Sequence, residues 1–189
     1  MAEDIPRLLE RARELVYSTG ALLTGDFILA SGKRSQYYLD SKLLSLSPEG
    51  SEVVGELLFS LVAEEEVEAG GGMAHAAIPL VTMVSNVSYR RGKPLPSFYV
   101  PKDVKEHGTK KKIEGCLPKN PGAAVAVIDD VITTGGSVRV ALSAVEQAGF
   151  KVAKVVALLD RHEGGGESLG KEYDFVSVFA TDEQGNLYI

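Results

Sequence analysis

The sequence predicts an α/β fold with a mostly parallel central sheet flanked by helices. Two observations carry this. Residues 123–128 form a short continuous apolar run, and 152–159 and 173–179 read as two further buried strands. Between and before them lie stretches with helical spacing, and strands alternating with helices at this interval imply βαβ units. Ligands in such sheets sit beyond the carboxyl ends of the strands.

Taken in order, Ile5, Leu8, Leu9, Ala12, Leu15 and Val16 recur at helical spacing, so the chain opens with an amphipathic helix that Gly20 stops. Residues 24–46 alternate short apolar runs with Gly, Ser and Lys, which predicts strands and turns. Ser47-Pro48-Glu49 is a helix start with Pro in the first turn, and the helix is expected over 49–66. Gly70-Gly71-Gly72 is expected to break the chain before a second helix over roughly 79–91. Residues 97–100 suit a short strand, and 101–115, polar and lysine-rich without periodicity, suit a loop. A helix over 137–148, capped by Gly149, follows the 123–128 strand.

Composition bounds the function. A chain of 189 residues suits one domain, and 44% hydrophobic with 24% charged residues can bury a real core. No apolar run approaches the ~18 residues that span a bilayer. The start, MAEDIPRLLERARELV, is acidic and amphipathic, unlike a secretory signal. The single cysteine, Cys116, forms no internal disulfide, and one Cys with three His argues against a structural zinc site. A cytoplasmic location is the default expectation. A net charge of −6 argues against broad nucleic-acid binding, and nothing suggests a membrane partner. An anionic ligand therefore needs local positive charge.

The sharpest feature is Val127-Ile128-Asp129-Asp130-Val131-Ile132-Thr133-Thr134-Gly135-Gly136-Ser137. An apolar strand ends in two carboxylates, and a Thr/Gly turn then opens a helix. Such a turn offers unhindered backbone N–H groups, hydroxyls and the positive end of a helix dipole, which together suit a phosphate on Thr134–Ser137. The adjacent carboxylates suit sugar hydroxyls, so the segment reads as a ribose 5-phosphate seat. Walker A and GxGxxG patterns are absent. Paired acids at a strand end also occur in metal-binding and receiver-type sites.

This segment resembles the 5-phosphoribosyl-1-pyrophosphate (PRPP) signature of the type I phosphoribosyltransferases. Three more segments are similar to the orotate phosphoribosyltransferases within that family. Residues 25–40, GDFILASGKRSQYYLD, resemble the N-terminal hood; 102–109, KDVKEHGT, followed by Ile113-Glu114-Gly115, the mobile catalytic loop; and 160–165, DRHEGG, the base-binding segment. The resemblance implies the type I phosphoribosyltransferase fold over a single domain, 1–189, with a small N-terminal hood in about 1–46. It implies transfer of the 5-phosphoribosyl group from PRPP to orotate, giving orotidine 5′-monophosphate and pyrophosphate in pyrimidine biosynthesis. Lys102, Lys105 and His107 would be the catalytic residues, contacting pyrophosphate. Asp129, Asp130, Thr133, Thr134, Gly135, Gly136 and Ser137 would bind PRPP. Thr133, Arg161, Tyr37 and Tyr38 would contact orotate. Mg²⁺ would be held mainly through PRPP, without dedicated protein ligands, and the protein would be a homodimer sharing the mobile loop across its interface.

The residues themselves leave plainer alternatives. Residues 102–112 carry five lysines against Asp103 and Glu106, a local charge of +3, which suits either an anion clamp or a solvated loop. Tyr37-Tyr38 also fits simple strand packing, and Arg161 also fits a surface ion pair with Glu163. Some positions depart from the family pattern. Pro101 stands where an Arg is usual, Ala76 and Ala77 replace positions often Lys-Gly or Gly-Ala, Ile78 stands where many members have Asp, and Ala30 where some have Lys. His75 in that stretch is either a substitute cation or an exposed loop residue. A catalytically weak or inactive paralogue that binds PRPP or a nucleotide is the alternative these departures favour.

Overall fold

The computed structural model describes residues 5–28, 32, 34–63, 66–102, 112–182 and 184–188. Helix α1 (Ile5–Ser18) buries Ala12, Leu15 and Val16, the stripe that its spacing predicts, and ends before Gly20 at φ 69°. Strands β1 (Leu22–Ile28) and β2 (Arg34–Leu39) pair as an antiparallel hairpin outside the main sheet. Residues 41–45 then form a short helix, α2 (Ser41–Ser45), where strands and turns were expected. Asp40 explains the helix, because its side chain accepts the Lys42 N–H and so caps the first turn.

Helix α3 (Pro48–Val62) starts as expected, with Ser47 Oγ accepting the Gly50 N–H and Pro48 in the first turn. It ends four residues earlier than expected. Strand β3 (Val67–Met73) runs straight through Gly70-Gly71-Gly72, which the sequence suggested as a break. The glycines mark close approach instead. A Cβ on Gly71 would collide with the Phe98 ring, and one on Gly72 with the Ile128 carbonyl and with Ala77. Helix α4 (Ala77–Arg90) then leads to β4 (Ser97–Val100), which pairs with the short β5 (Glu114–Gly115). Strand β6 (Ala124–Ile132), helix α5 (Gly136–Gln147), strand β7 (Lys151–Asp160), helix α6 (Gly165–Gly170), strand β8 (Phe175–Thr181) and strand β9 (Leu187–Tyr188) complete the chain.

The main sheet has the order β5-β4-β3-β6-β7-β8-β9, with β4-β3-β6-β7-β8 parallel and the edge strands antiparallel. Each face has its own core. Ala126 and Ile128 of β6 pack with α1, α3 and α4, while Val125 and Val127 pack with α5 and α6. That alternation is the period of two of a strand covered on both sides. From β3 the chain crosses to β4 on one side; from β6 it crosses to β7 on the other. The order therefore reverses between β3 and β6, and open α/β sheets bind ligands in a crevice beyond the carboxyl ends of the strands at such a point.

Candidate active site

Helices α4 and α5 begin at this reversal point, one on each face of the sheet. Neither has a side-chain cap: Ala76 precedes α4, and Gly135, at φ 81°, precedes α5. Neither has an acidic residue in its first turn. Their leading N–H groups and dipoles are thus available to an anion. In the turn between β6 and α5, Thr134, Gly136 and Ser137 are exposed, Thr133 is half-buried and Gly135 is buried.

Asp129 and Asp130 lie near the carboxyl end of β6, followed in the strand by Val131 and Ile132. Asp129 is 3% exposed. Its Oδ1 accepts the Asp130 N–H at 3.0 Å and its Oδ2 the Ser137 hydroxyl at 3.1 Å. Burial, with the Asp130 charge beside it, pushes the Asp129 carboxyl up to about 7, although those two hydrogen bonds oppose the shift. Asp130 is less buried. Its Oδ1 accepts the Val131 N–H at 2.8 Å and its Oδ2 the Ser41 hydroxyl at 2.6 Å.

The connection from β7 to α6 supports the turn from the side. The Arg161 N–H donates to the Ile132 carbonyl at 3.0 Å, and the Gly165 N–H to the Thr133 carbonyl at 2.9 Å. A Cβ at position 165 would collide with that Thr133 carbonyl. This places Thr133 between the turn and Arg161. The Arg161 side chain is buried; its Nε donates to Glu163 Oε1 at 3.0 Å and its Nη2 to Ser35 Oγ at 2.8 Å. Its guanidinium lies 4.1 Å from the centroid of the Tyr37 ring, a cation–π stack. The ion pair with Glu163 therefore exists, but inside the protein.

Tyr37 is itself buried, and its hydroxyl shares a 2.6 Å hydrogen bond with Thr181 Oγ1. Tyr38, next along β2, faces the opposite way and packs on Phe27 with centroids 5.7 Å apart. The hood thus brings Tyr37, and not Tyr38, to Arg161. An open cavity of about 1100 Å³ adjoins this cluster, lined by Arg34, Tyr37, Arg161, His162 and Thr181 among others. Lys102 is exposed two residues beyond β4, and Lys105 and His107 lie outside the described residues. Pro101 is half-buried directly after β4, and His75 and Ala76 are exposed in the turn before α4. Sequence reasoning missed Ser35, Ser41 and Thr181, whose roles come only from contacts distant in the chain.

An uncapped Thr/Gly turn beside paired carboxylates, at the reversal point of a mostly parallel sheet, is the arrangement expected of the phosphoribosyltransferase class. The family model for the phosphoribosyl transferase domain matches residues 72–185. The orotate phosphoribosyltransferase of Sorangium cellulosum is 44% identical over 143 residues, covering 75% of this chain and 74% of that protein. Among solved structures, the Mycobacterium tuberculosis orotate phosphoribosyltransferase with Fe(III) dicitrate superposes with a TM-score of 0.76 at 30% identity, covering 97% of this chain and 99% of that one. The same bacterium's enzyme in complex with PRPP gives a TM-score of 0.70 at 25% identity, covering 97% and 92%. The chain belongs to the orotate phosphoribosyltransferase family.

Proposed function

We propose that this chain transfers the 5-phosphoribosyl group from PRPP to orotate, forming orotidine 5′-monophosphate and pyrophosphate in de novo pyrimidine biosynthesis. The observation that carries the proposal is the reversal point between β3 and β6. There two uncapped helix starts and two carboxylates fit a sugar bearing an anion at each end.

In this reading the 5-phosphate sits on residues 134–137, and Asp129 and Asp130 accept the ribose hydroxyls. The pyrophosphate lies toward the start of α4. Arg161 and Thr133 hold orotate, with Tyr37 supporting Arg161 from behind. The C1–O bond to pyrophosphate breaks as a ring nitrogen of orotate bonds to C1, and the proton of that N–H is released to the departing pyrophosphate or to water. Positive charge then builds on the sugar ring and negative charge on the leaving group. Lys102, Lys105 and His107 supply cations for that leaving charge. Negative charge on the carboxylates of Asp129 and Asp130, beside the sugar in this reading, favours the positive charge that builds on the ring.

Two carboxylates that already accept four protein hydrogen bonds make a poor all-protein Mg²⁺ cage, but they suit a cation carried mainly by substrate oxygens. Mg²⁺ bound in that way would neutralise part of the leaving charge. We read 1–189 as one such domain with its hood in about 1–46, acting as a homodimer that shares the loop around 102–112. Among the described residues no helix is long and apolar enough to cross a membrane, and we propose a cytoplasmic setting as the default for such an enzyme.

A second reading, a PRPP-binding or nucleotide-binding protein with little turnover, draws on Pro101 and Ala76. Proline has neither charge nor N–H, and alanine cannot replace a lysine. An absorbance assay of orotate consumption with PRPP and Mg²⁺ separates the two. Turnover supports transfer, PRPP binding without turnover supports the second reading, and neither overturns both.

A further inference from the structure

The N-terminal segment and the carboxylate pair meet at one buried contact. Ser41, the first residue of α2, is 5% exposed and donates its hydroxyl to Asp130 Oδ2 across 89 positions of sequence. The other oxygen of Asp130 accepts the Val131 N–H, so the carboxylate is held at both ends. Ser41 is in turn fixed from both sides. The Asp40 N–H donates to the Ala21 carbonyl, and Leu44, three residues on, is fully buried in the core with α3. The two acids are thus held differently. Asp129 takes its hydroxyl from Ser137, in the turn it faces, whereas Asp130 takes its hydroxyl from the end of the hairpin segment.

We infer that Ser41 is a positioning residue that sets Asp130 for the ribose of PRPP. The inference rests on the ribose role proposed above for the two acids. A carboxylate oxygen has two lone pairs, so Oδ2 can accept Ser41 and still accept a sugar hydroxyl. The serine therefore fixes the orientation of the carboxylate without using up its capacity. Without it, Asp130 keeps only the contact to its neighbour's N–H and must be ordered by the ligand, which weakens binding.

The experiment is a double-mutant cycle of Ser41→Ala, Asp130→Ala and the two combined, reading PRPP Kd by calorimetry, KM for each substrate, and thermal unfolding without ligand. Ser41→Ala is expected to weaken PRPP roughly tenfold, the scale of one hydrogen bond to a charged group. It should leave the orotate KM within about twofold, since Arg161 and Tyr37 are untouched. In the Asp130→Ala background it should add no further loss. Wild-type or tighter PRPP binding by Ser41→Ala, or the same loss in both backgrounds, overturns the inference. Wild-type PRPP affinity in Asp130→Ala overturns the ribose role instead, and the two failures are therefore distinct. If Ser41→Ala does not fold, Ser41→Cys, similar in size with a weaker donor, carries the same expectations.

Discussion

The turn after β6 and the cluster around Arg161 are neighbours built in opposite ways. The turn and its flanks come from nine consecutive residues, 129–137, that run from the end of β6 onto an uncapped helix start. The Arg161 cluster is assembled from β2, the β7–α6 connection and β8, and its polar groups are largely satisfied by one another. The first leaves the leading N–H groups of α5 without a side-chain cap. The second is a braced wall, stiff because its charges and hydroxyls already have partners.

This contrast can be tested at both ends. The largest effect belongs to the turn's acids: Asp129→Asn combined with Asp130→Asn should abolish PRPP binding while the protein stays folded. Calorimetry with PRPP checks it, and wild-type affinity would refute the seat. Next comes Arg161→Ala, which removes the buried guanidinium from Glu163 Oε1 and from the Tyr37 ring. Breaking a buried pair costs about 3–5 kcal/mol, so the unfolding midpoint should fall sharply while the orotate KM rises. An unchanged melting curve would show that the wall is not braced by this pair.

A third expectation concerns pH. Asp129 rises from the ordinary 3.8 to about 7 in the folded protein. Between those values the folded state keeps a proton that the unfolded chain releases, so this group lowers stability as pH rises through the window. The penalty is fully present above about 7. Asp129→Asn should therefore melt higher than wild type at pH 8, with the gap closing toward pH 4, even as PRPP binding is lost. A gap independent of pH would sink this account. The smallest effect is Tyr37→Phe. It leaves Thr181 without its partner, at about 1–2 kcal/mol of stability, with PRPP affinity unchanged. A PRPP defect in that variant would join the two regions that the comparison separates.

The same contrast explains what could be read in advance. The β6 strand, its two acids and the turn are contiguous, so that strand–turn–helix segment was legible. Strand β3 was not, because Gly70-Gly71-Gly72 carry no side chains to show a strand pattern; their meaning lies in Phe98, Ala77 and Ile128, which crowd against them. Helix α2 was hidden because one capping aspartate, Asp40, decided it. The partners of Ser35, Tyr37 and Ser41 lie 126, 144 and 89 positions away, beyond the reach of any local pattern. Tyr37 and Tyr38 were legible as a pair, but not which of them would turn toward Arg161.

The hydrogen bonds from Arg161 and Gly165 to Ile132 and Thr133 bind two connections into a single piece of backbone. An insertion between positions 160 and 165 would pull on the neighbouring turn through these hydrogen bonds. Descendants of this scaffold that acquire new nucleobase preferences are thus expected to exchange side chains at the rim while conserving the length of that connection.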